Sequence, residues 1–562
     1  MPGSASLSPM TVAAVIVFIG VLIFVHELGH FLAAKFFNIK VLKFSLGFGT
    51  PLVRFTRGET TYQIAVLPLG GYVKMLGDVP TDEIPVEDRH RAFTTAPVYQ
   101  RAIVAVAGPL FNLVFPIVCF FAYHLLGPTV IAPMVGQVEI GTAAEAGGLK
   151  SGDRVRGIDG KRIWDFQQMT EVVKENANVP LHFSIERDGQ PLELTVTPRQ
   201  TDGEDDWGNA EVHGMIGVSP AVLGTRIGVD GGQAATLGLA TGDRILRIGE
   251  TRVKRLGEIE DALKASAGKT VDIVVARPEP RGLGDLLIAQ REQVVTLPVA
   301  VPEGATDLTA LGVFPSDAFI RFLEPEGAAA RAGLRSGDRV VAVDGRPISM
   351  FLSFAMAMQR AEKKPVVVTV SRAGVRREVT VVNDEKQMLH PATQKMRPYF
   401  DAGLGLGDAP RIASTMNWHS GGAWVTETAE LTLGEAFVSS VSRTAEGIGM
   451  TVLSLYKLFA GDVSVKTVGG PLLLFQVAAQ AAEFGLFAYL RLMALISVNL
   501  GVINLLPVPL LDGGHLLFCA VEAIKRKPMS LRVRERAAIV GLVLLAMLIV
   551  LVFANDISRL LG

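Results

Sequence analysis

Four stretches of the chain are apolar over a length that crosses a bilayer or nearly so: roughly Met10–Ala34, Ala102–Leu126, Leu492–Val521 and Ala537–Ala554. About twenty apolar residues in a helix span the hydrocarbon layer, so the pattern predicts four transmembrane helices. Two further segments are mixed. Leu431–Ala460 carries Arg443, Glu446 and Lys457, and Pro471–Leu490 carries Gln476, Gln480 and Glu483. They predict interfacial helices rather than spans. Charge supplies the orientation. The loop after the first span holds Lys35, Lys40, Lys43, Arg54, Arg57, Lys74, Arg89, Arg91 and Arg101. The loop before the last span holds Lys525, Arg526, Lys527, Arg532, Arg534 and Arg536. The excess of base places both loops in the cytoplasm and the long middle region on the far side. A single extra crossing within 431–490 would break that arrangement, so either neither segment crosses or both do, and the favoured reading is neither.

Between the first two spans the period changes. Phe44–Gly49 and Thr61–Met75 alternate and are rich in β-formers and glycine, which predicts short strands. They are apolar enough to dip into the membrane where protein shields their backbone. Gly70 and Gly71 would permit a tight turn or the close approach of another chain.

The middle region repeats itself. Ala146-Gly-Gly-Leu-Lys-Ser-Gly-Asp-Arg recurs as Leu237-Gly-Leu-Ala-Thr-Gly-Asp-Arg and again as Ala332-Gly-Leu-Arg-Ser-Gly-Asp-Arg, with Gly-Asp pairs beginning at 152, 242 and 337. Each unit is the size of a small domain. A helix is expected over Phe166–Glu175 and a strand over Val366–Ser371. The second unit departs from the others in having Gly249-Glu250 where they have Asp-Gly, and in an insert near Pro278–Asp285. Polar connectors are expected at Thr201–Gly214 and Asn383–Thr428, with His390 and His419 as solvated loop residues. The expected domains are 1–133 (membrane), 134–200, 215–300 and 310–384 (repeated units), 385–430 (linker) and 431–562 (membrane).

Composition agrees with a membrane protein. Of 562 residues 49% are hydrophobic, and the mean hydropathy is +0.37. A net charge of −1 gives no indication of a nucleic-acid partner. Cys119 and Cys519 both lie in apolar runs, so neither a disulfide framework nor a cysteine metal site is supported.

The candidate chemistry sits inside the first span, at His26-Glu27-Leu28-Gly29-His30. On a helix the two histidines share a face and can reach one Zn²⁺, with Glu27 beside them as a base for water. Ionisable groups within a span are costly unless they bind or react. A catalytic zinc usually has three protein ligands. The third candidate is Asp512, in Asn504-Leu-Leu-Pro-Val-Pro-Leu-Leu-Asp-Gly-Gly-His515, where prolines and glycines break a helix that must then line a cavity. His515 is its rival.

These motifs resemble the site-2 protease family of intramembrane zinc metalloproteases, in its bacterial regulator of sigma-E branch. The matching residues are His26-Glu27-x-x-His30, Gly47-Phe48-Gly49, Gly70–Met75, Ala107–Asn112, and Ser497–Leu500 running into Asn504–Gly514. The repeated units resemble PDZ domains, which bind extended peptides at a sheet edge. The implied fold class is a multi-span α-helical membrane protein with a membrane-associated β-hairpin and extracytoplasmic PDZ-like domains. The resemblance implies one zinc held by His26, His30 and Asp512, with Glu27 as general base. It implies substrate contacts from Asn499, Asn504 and the strand at Gly70, Gly71 and Tyr72. It also implies a bacterial inner-membrane location with periplasmic PDZ-like domains. The expected partners are single-span membrane proteins of the anti-sigma-factor type, signal-peptide remnants, and peptide C-termini at the PDZ-like units. Members of the branch usually carry two such units, and this chain repeats three times. The alternative reading is a catalytically idle membrane scaffold that recruits peptides, against which an intact Glu27 argues.

Overall fold

The computed structural model describes residues 9–561 apart from 79–83, 205–209, 222–223, 232–233, 235, 279–291, 321–322, 349–350, 390–392, 394–395, 404–424 and 528. His390, His419 and most of the insert in the second repeat lie outside the described residues. The chain divides into two compact units, one of Met1–Pro128, Pro391–Gln394 and Glu430–Gly562 and one of Thr129–His390 with Lys395–Ala429.

Among the described residues the first unit contains seven α-helices, numbered here α1 (Pro9–Phe36), α2 (Val98–Leu125), α3 (Leu433–Ala460), α4 (Pro471–Phe484), α5 (Leu486–Asn504), α6 (Asp512–Lys525) and α7 (Leu531–Leu561). Four are long and apolar enough to cross a membrane: α1, α2, α5 and the Arg532–Arg559 stretch of α7. The expected count therefore holds, with one boundary corrected. The stretch read as a single span, Leu492–Val521, is two helices separated by 505–511, because Pro507 and Pro509 lack the N–H that would carry the helix on. Its upstream end moves to Leu486, where Gly485 at φ +101° separates α4 from α5.

Packing selects one stripe of each apolar helix. Thr11, Val15, Phe18 and Leu22 of α1 are buried at helical spacing, and the last three pack with Cys119, Ala478, Met493 and Ala494. A Cβ on Gly29 would lie 2.3 Å from the carbonyl oxygen of Ala107, so α1 and α2 cross with backbones in contact. Two buried polar ties hold the rest. Arg101 at the start of α2 pairs with Glu522 of α6 at 2.6 Å. Asp556 of α7 accepts hydrogen bonds from the backbone N–H groups of Gly470, Leu472 and Leu473, capping the start of α4.

Strands β1 (Val41–Arg57) and β2 (Thr60–Met75) pair antiparallel, and each is bent back on itself. Phe44 is paired with Tyr62 on one side and Val73 on the other, while Val53 through Arg57 pair with Ile64 back to Thr60. The expected hairpin is thus a four-stranded sheet. Gly47 and Gly49, at φ +88° and +89°, make the first bend, and Gly70 at +133° lies at the second. Among the described residues Gly71–Met75 pairs as a strand on one side only, with Val41–Leu46.

The second unit contains three copies of one four-stranded sheet with its own core. The long strands are Arg154–Ile158, Leu181–Arg187 and Gln190–Val196 in the first copy. They are Arg244–Ile248, Thr270–Pro278 and Glu292–Ala300 in the second, and Arg339–Val343, Val366–Arg372 and Val375–Val381 in the third. Each copy has one main helix: Phe166–Glu175, Leu256–Ala265 or Phe351–Ala361. The Gly-Asp motif has a structural role. Asp153, Asp243 and Asp338 are essentially unexposed, and each accepts both a backbone N–H three residues upstream and a fork from an arginine, Arg187, Arg277 or Arg372. The same arginine also donates to a carbonyl at Gly148, Gly238 or Gly333. Gly249 of the second copy adopts φ +54°, close to the +49° of Asp159 and +48° of Asp344, but the next position differs: Gly160 and Gly345 lie at +75° and +76°, whereas Glu250 stays out of the left-handed region.

Both stretches expected to be linkers overlap hairpins: Arg199–Glu204 with Ala210–Met215 across Thr201–Gly214, and Asp384–Leu389 with Met396–Asp401 at the start of 385–430. Polarity misleads here because such a hairpin needs little apolar surface. Gly214 lies on the backbone of the first helix, where a Cβ would meet the Val173 carbonyl at 2.3 Å. Finally, β3 (Thr129–Ile131) and β4 (Thr426–Thr428) pair antiparallel where the chain enters and leaves this unit, with an Arg154–Glu427 ion pair beside them.

Candidate metal centre

His26 and His30 project from one face of α1, and Asp512 opens α6. Asp512 Oδ2 lies 3.2 Å from His26 Nε2, Asp512 Oδ1 lies 3.4 Å from His30 Nε2, and the two Nε2 atoms are 3.3 Å apart. Among the described residues this is the group of His, Cys, Asp or Glu side chains placed to hold an ion, with all ligand atoms within 4.8 Å of one another. Two imidazoles and one carboxylate suit zinc and leave a coordination position open. The other ring nitrogens are held by α2. His30 Nδ1 lies 2.7 Å from the carbonyl oxygen of Val104, and His26 Nδ1 lies 3.1 Å from the Asn112 side-chain amide. Such outer partners fix ring orientation in metal sites.

Small residues make the convergence possible. A Cβ on Gly108 would sit 2.2 Å from His30 Nε2, so only glycine leaves room for the ring. Gly513 and Gly514 let the start of α6 fold onto the preceding turn, where added Cβ atoms would lie 2.2 Å from the Leu506 oxygen and 2.4 Å from the Val508 oxygen.

The remaining residues singled out from the sequence fall as follows. Glu27 is buried beside the histidines, and Gly71 comes against it: a Cβ there would lie 3.0 Å from Glu27 Cγ. Tyr72 stacks on Phe48 with ring centres 5.9 Å apart, and Gly70 lies beneath the same Phe48 ring. Asn499 on α5 accepts a hydrogen bond from Thr451 at 2.7 Å, which ties α5 to α3. Asn504 is half-buried at the end of α5. His515, the rival ligand, is not in the converging group and has its ring against Phe518. Sequence reasoning gave no role to Gly108, Val104, Asn112 or the Arg101–Glu522 pair. Gly108 and Asn112 were visible within Ala107–Asn112, whereas a backbone carbonyl leaves no trace in a sequence.

The sequence pattern of Peptidase family M50 matches residues 14–548. The chain is 30% identical over 551 residues to Protease RseP of Yersinia pestis, covering 98% of this chain and 99% of that protein. It is 29% identical over 556 residues to Regulator of sigma-E protease RseP of Escherichia coli K12, covering 98% of each. A chain of Neisseria meningitidis serogroup A named as a zinc metalloprotease is 29% identical over 553 residues, covering 98% of this chain and 100% of that one. A solved PDZ domain protein from Parabacteroides distasonis covers 44% of this chain and 92% of its own at 9% identity, with a TM-score of 0.13 that is too low to argue from. A family pattern over nearly the whole chain and near-complete coverage of these relatives agree with the geometry of α1, α2 and α6: the chain belongs to peptidase family M50 and is a zinc metalloprotease.

Proposed function

We propose that this protease cuts the transmembrane segments of single-span membrane proteins, including anti-sigma factors and signal-peptide remnants, at a site formed by His26, Glu27, His30 and Asp512. The observation that carries the reading is the placement of a one-sided strand, Gly71–Met75, against Glu27 on an apolar helix. A helical substrate shields its scissile amide with its own hydrogen bonds, and in hydrocarbon those bonds need replacement. The free edge of that strand supplies them by strand addition.

His26, His30 and Asp512 would hold one zinc per chain. When bound, zinc supplies a Lewis acid that polarises the scissile carbonyl and acidifies water. Glu27 takes the proton of the attacking water and returns it to the departing amine nitrogen. Gly70, Gly71 and Tyr72 orient the substrate strand through their backbone, and Asn499 and Asn504 hold its far side. The enzyme works in the bacterial inner membrane with the basic loops in the cytoplasm. The repeated units, PDZ-like and periplasmic, carry none of the site residues. They select substrates by excluding bulky ectodomains or by binding newly exposed ends.

The test is cleavage of a tagged single-span substrate by purified protein in detergent, with zinc measured in parallel. Glu27→Gln should keep zinc and lose cleavage, whereas the pair His26→Ala, His30→Ala should lose both. Normal cleavage by Glu27→Gln would remove Glu27 from the role given to it.

A further inference from the structure

We infer that Asn112 is the positioning residue for His26, holding its ring by accepting a hydrogen bond at Nδ1. The inference rests on the reading of His26 as a zinc ligand. Asn112 is 1% exposed, its amide nitrogen lies 3.1 Å from His26 Nδ1, and its Oδ1 is buried with no hydrogen-bond partner among the described residues. His26 Nε2 faces Asp512 and His30 at 3.2 and 3.3 Å, the corner where the ligand atoms converge. A neutral imidazole that gives its Nε2 lone pair to a metal carries its proton on Nδ1 and needs an acceptor there. An amide N–H₂ facing that N–H offers none. The two ends of an amide have nearly the same shape, so turning it about its last bond brings Oδ1 to Nδ1 without disturbing the packing.

The other histidine shows the same arrangement built differently. His30 Nδ1 is 2.7 Å from the Val104 carbonyl, an acceptor that no substitution removes and that has no donor end. Both rings are thus anchored on α2, His30 by main chain and His26 by one side chain. The Asn112 backbone is fixed independently, since its carbonyl accepts from Ser497 Oγ at 2.8 Å. Changing the side chain leaves that tie in place. The final residue of Ala107–Asn112 then has a stated task.

The test uses the full chain in detergent, with zinc affinity read by chelator competition and the Co²⁺-substituted protein read by absorption. Asn112→Leu keeps the volume and removes the acceptor, and should weaken zinc binding by about 10- to 100-fold. Asn112→Asp presents an acceptor at either end and should hold zinc within about threefold of the parent, with an unchanged Co²⁺ spectrum. Zinc affinity in Asn112→Leu equal to the parent would overturn the inference. So would an Asn112→Asp protein that folds but binds as weakly as Asn112→Leu, because that pattern marks the amide as a donor. Asn112→Ala replaces Asn112→Leu if the latter does not fold, with the same expectation. A His26→Ala control separates the two readings: if it keeps full zinc affinity, His26 is not a ligand and the proposed site itself is wrong.

Discussion

His30 occupies the space that any side chain on Gly108 would need, with its Nε2 atom 2.2 Å from where a Cβ would be built. The obstruction lies between a helix backbone and a ring that is itself tied to Val104, so neither side can yield cheaply. Gly108→Ala should therefore displace the ring and lower zinc affinity and cleavage by at least about tenfold, while the protein still inserts. Zinc content and substrate cleavage measured on the same preparation check this. Gly20→Ala, whose Cβ would meet nothing within 4 Å, is the control and should behave as the parent.

The three buried aspartates make a second prediction. Removing Asp153, Asp243 or Asp338 as alanine strips an arginine fork and a backbone N–H of their shared acceptor, at a cost of about 3 kcal/mol to that copy. Hydrogen exchange in the intact protein should show loss of protection confined to the copy that was changed. Cleavage of a short, pre-trimmed substrate should persist, since no site residue comes from the repeats.

Acid should loosen the turn between β1 and β2. Arg91, and with it Lys35, holds the Glu59 carboxylate at a pKa of about 2, below its ordinary 4.5. A depressed carboxylate contributes stability that is complete above pH 4.5 and is lost as pH falls from there towards 2. Because Glu59 is partly exposed, the contribution is no more than about 1 kcal/mol. Proteolysis at the Gly58–Glu59 turn should rise over that window, and Glu59→Gln should remove the pH dependence.

The orientation can be tested directly. Lys74→Cys and Lys527→Cys should react with a membrane-impermeant thiol reagent from the cytoplasmic side, and Asp243→Cys from the opposite side. Reaction of the first two from different sides would exclude the four-span arrangement.

Much of this was legible in the sequence because the strongest signals are local. His26 and His30 are four apart, Gly-Asp recurs at regular distance, and Pro507 and Pro509 mark a broken helix. Less visible were features that depend on what lies opposite. Apolar spans hide which stripe is buried, so Val15, Phe18 and Leu22 could not be told from their lipid-facing neighbours. The double bend of β1 and β2 depends on pairing on both sides of Phe44, which alternation alone does not encode. The hairpins at 199–215 and 384–401 read as linkers because one covered face leaves little apolar pattern.

The short ladder of β3 with β4 has an architectural consequence. Apart from Pro391–Gln394, the described residues between Ile131 and Thr426 form a cassette that departs from and returns to a single paired seam. Whole copies can be spliced into or out of such a cassette without rethreading any helix of the other unit. A chimera carrying one copy, joined at the same seam, is the natural starting point for testing the role proposed for the repeats in substrate selection.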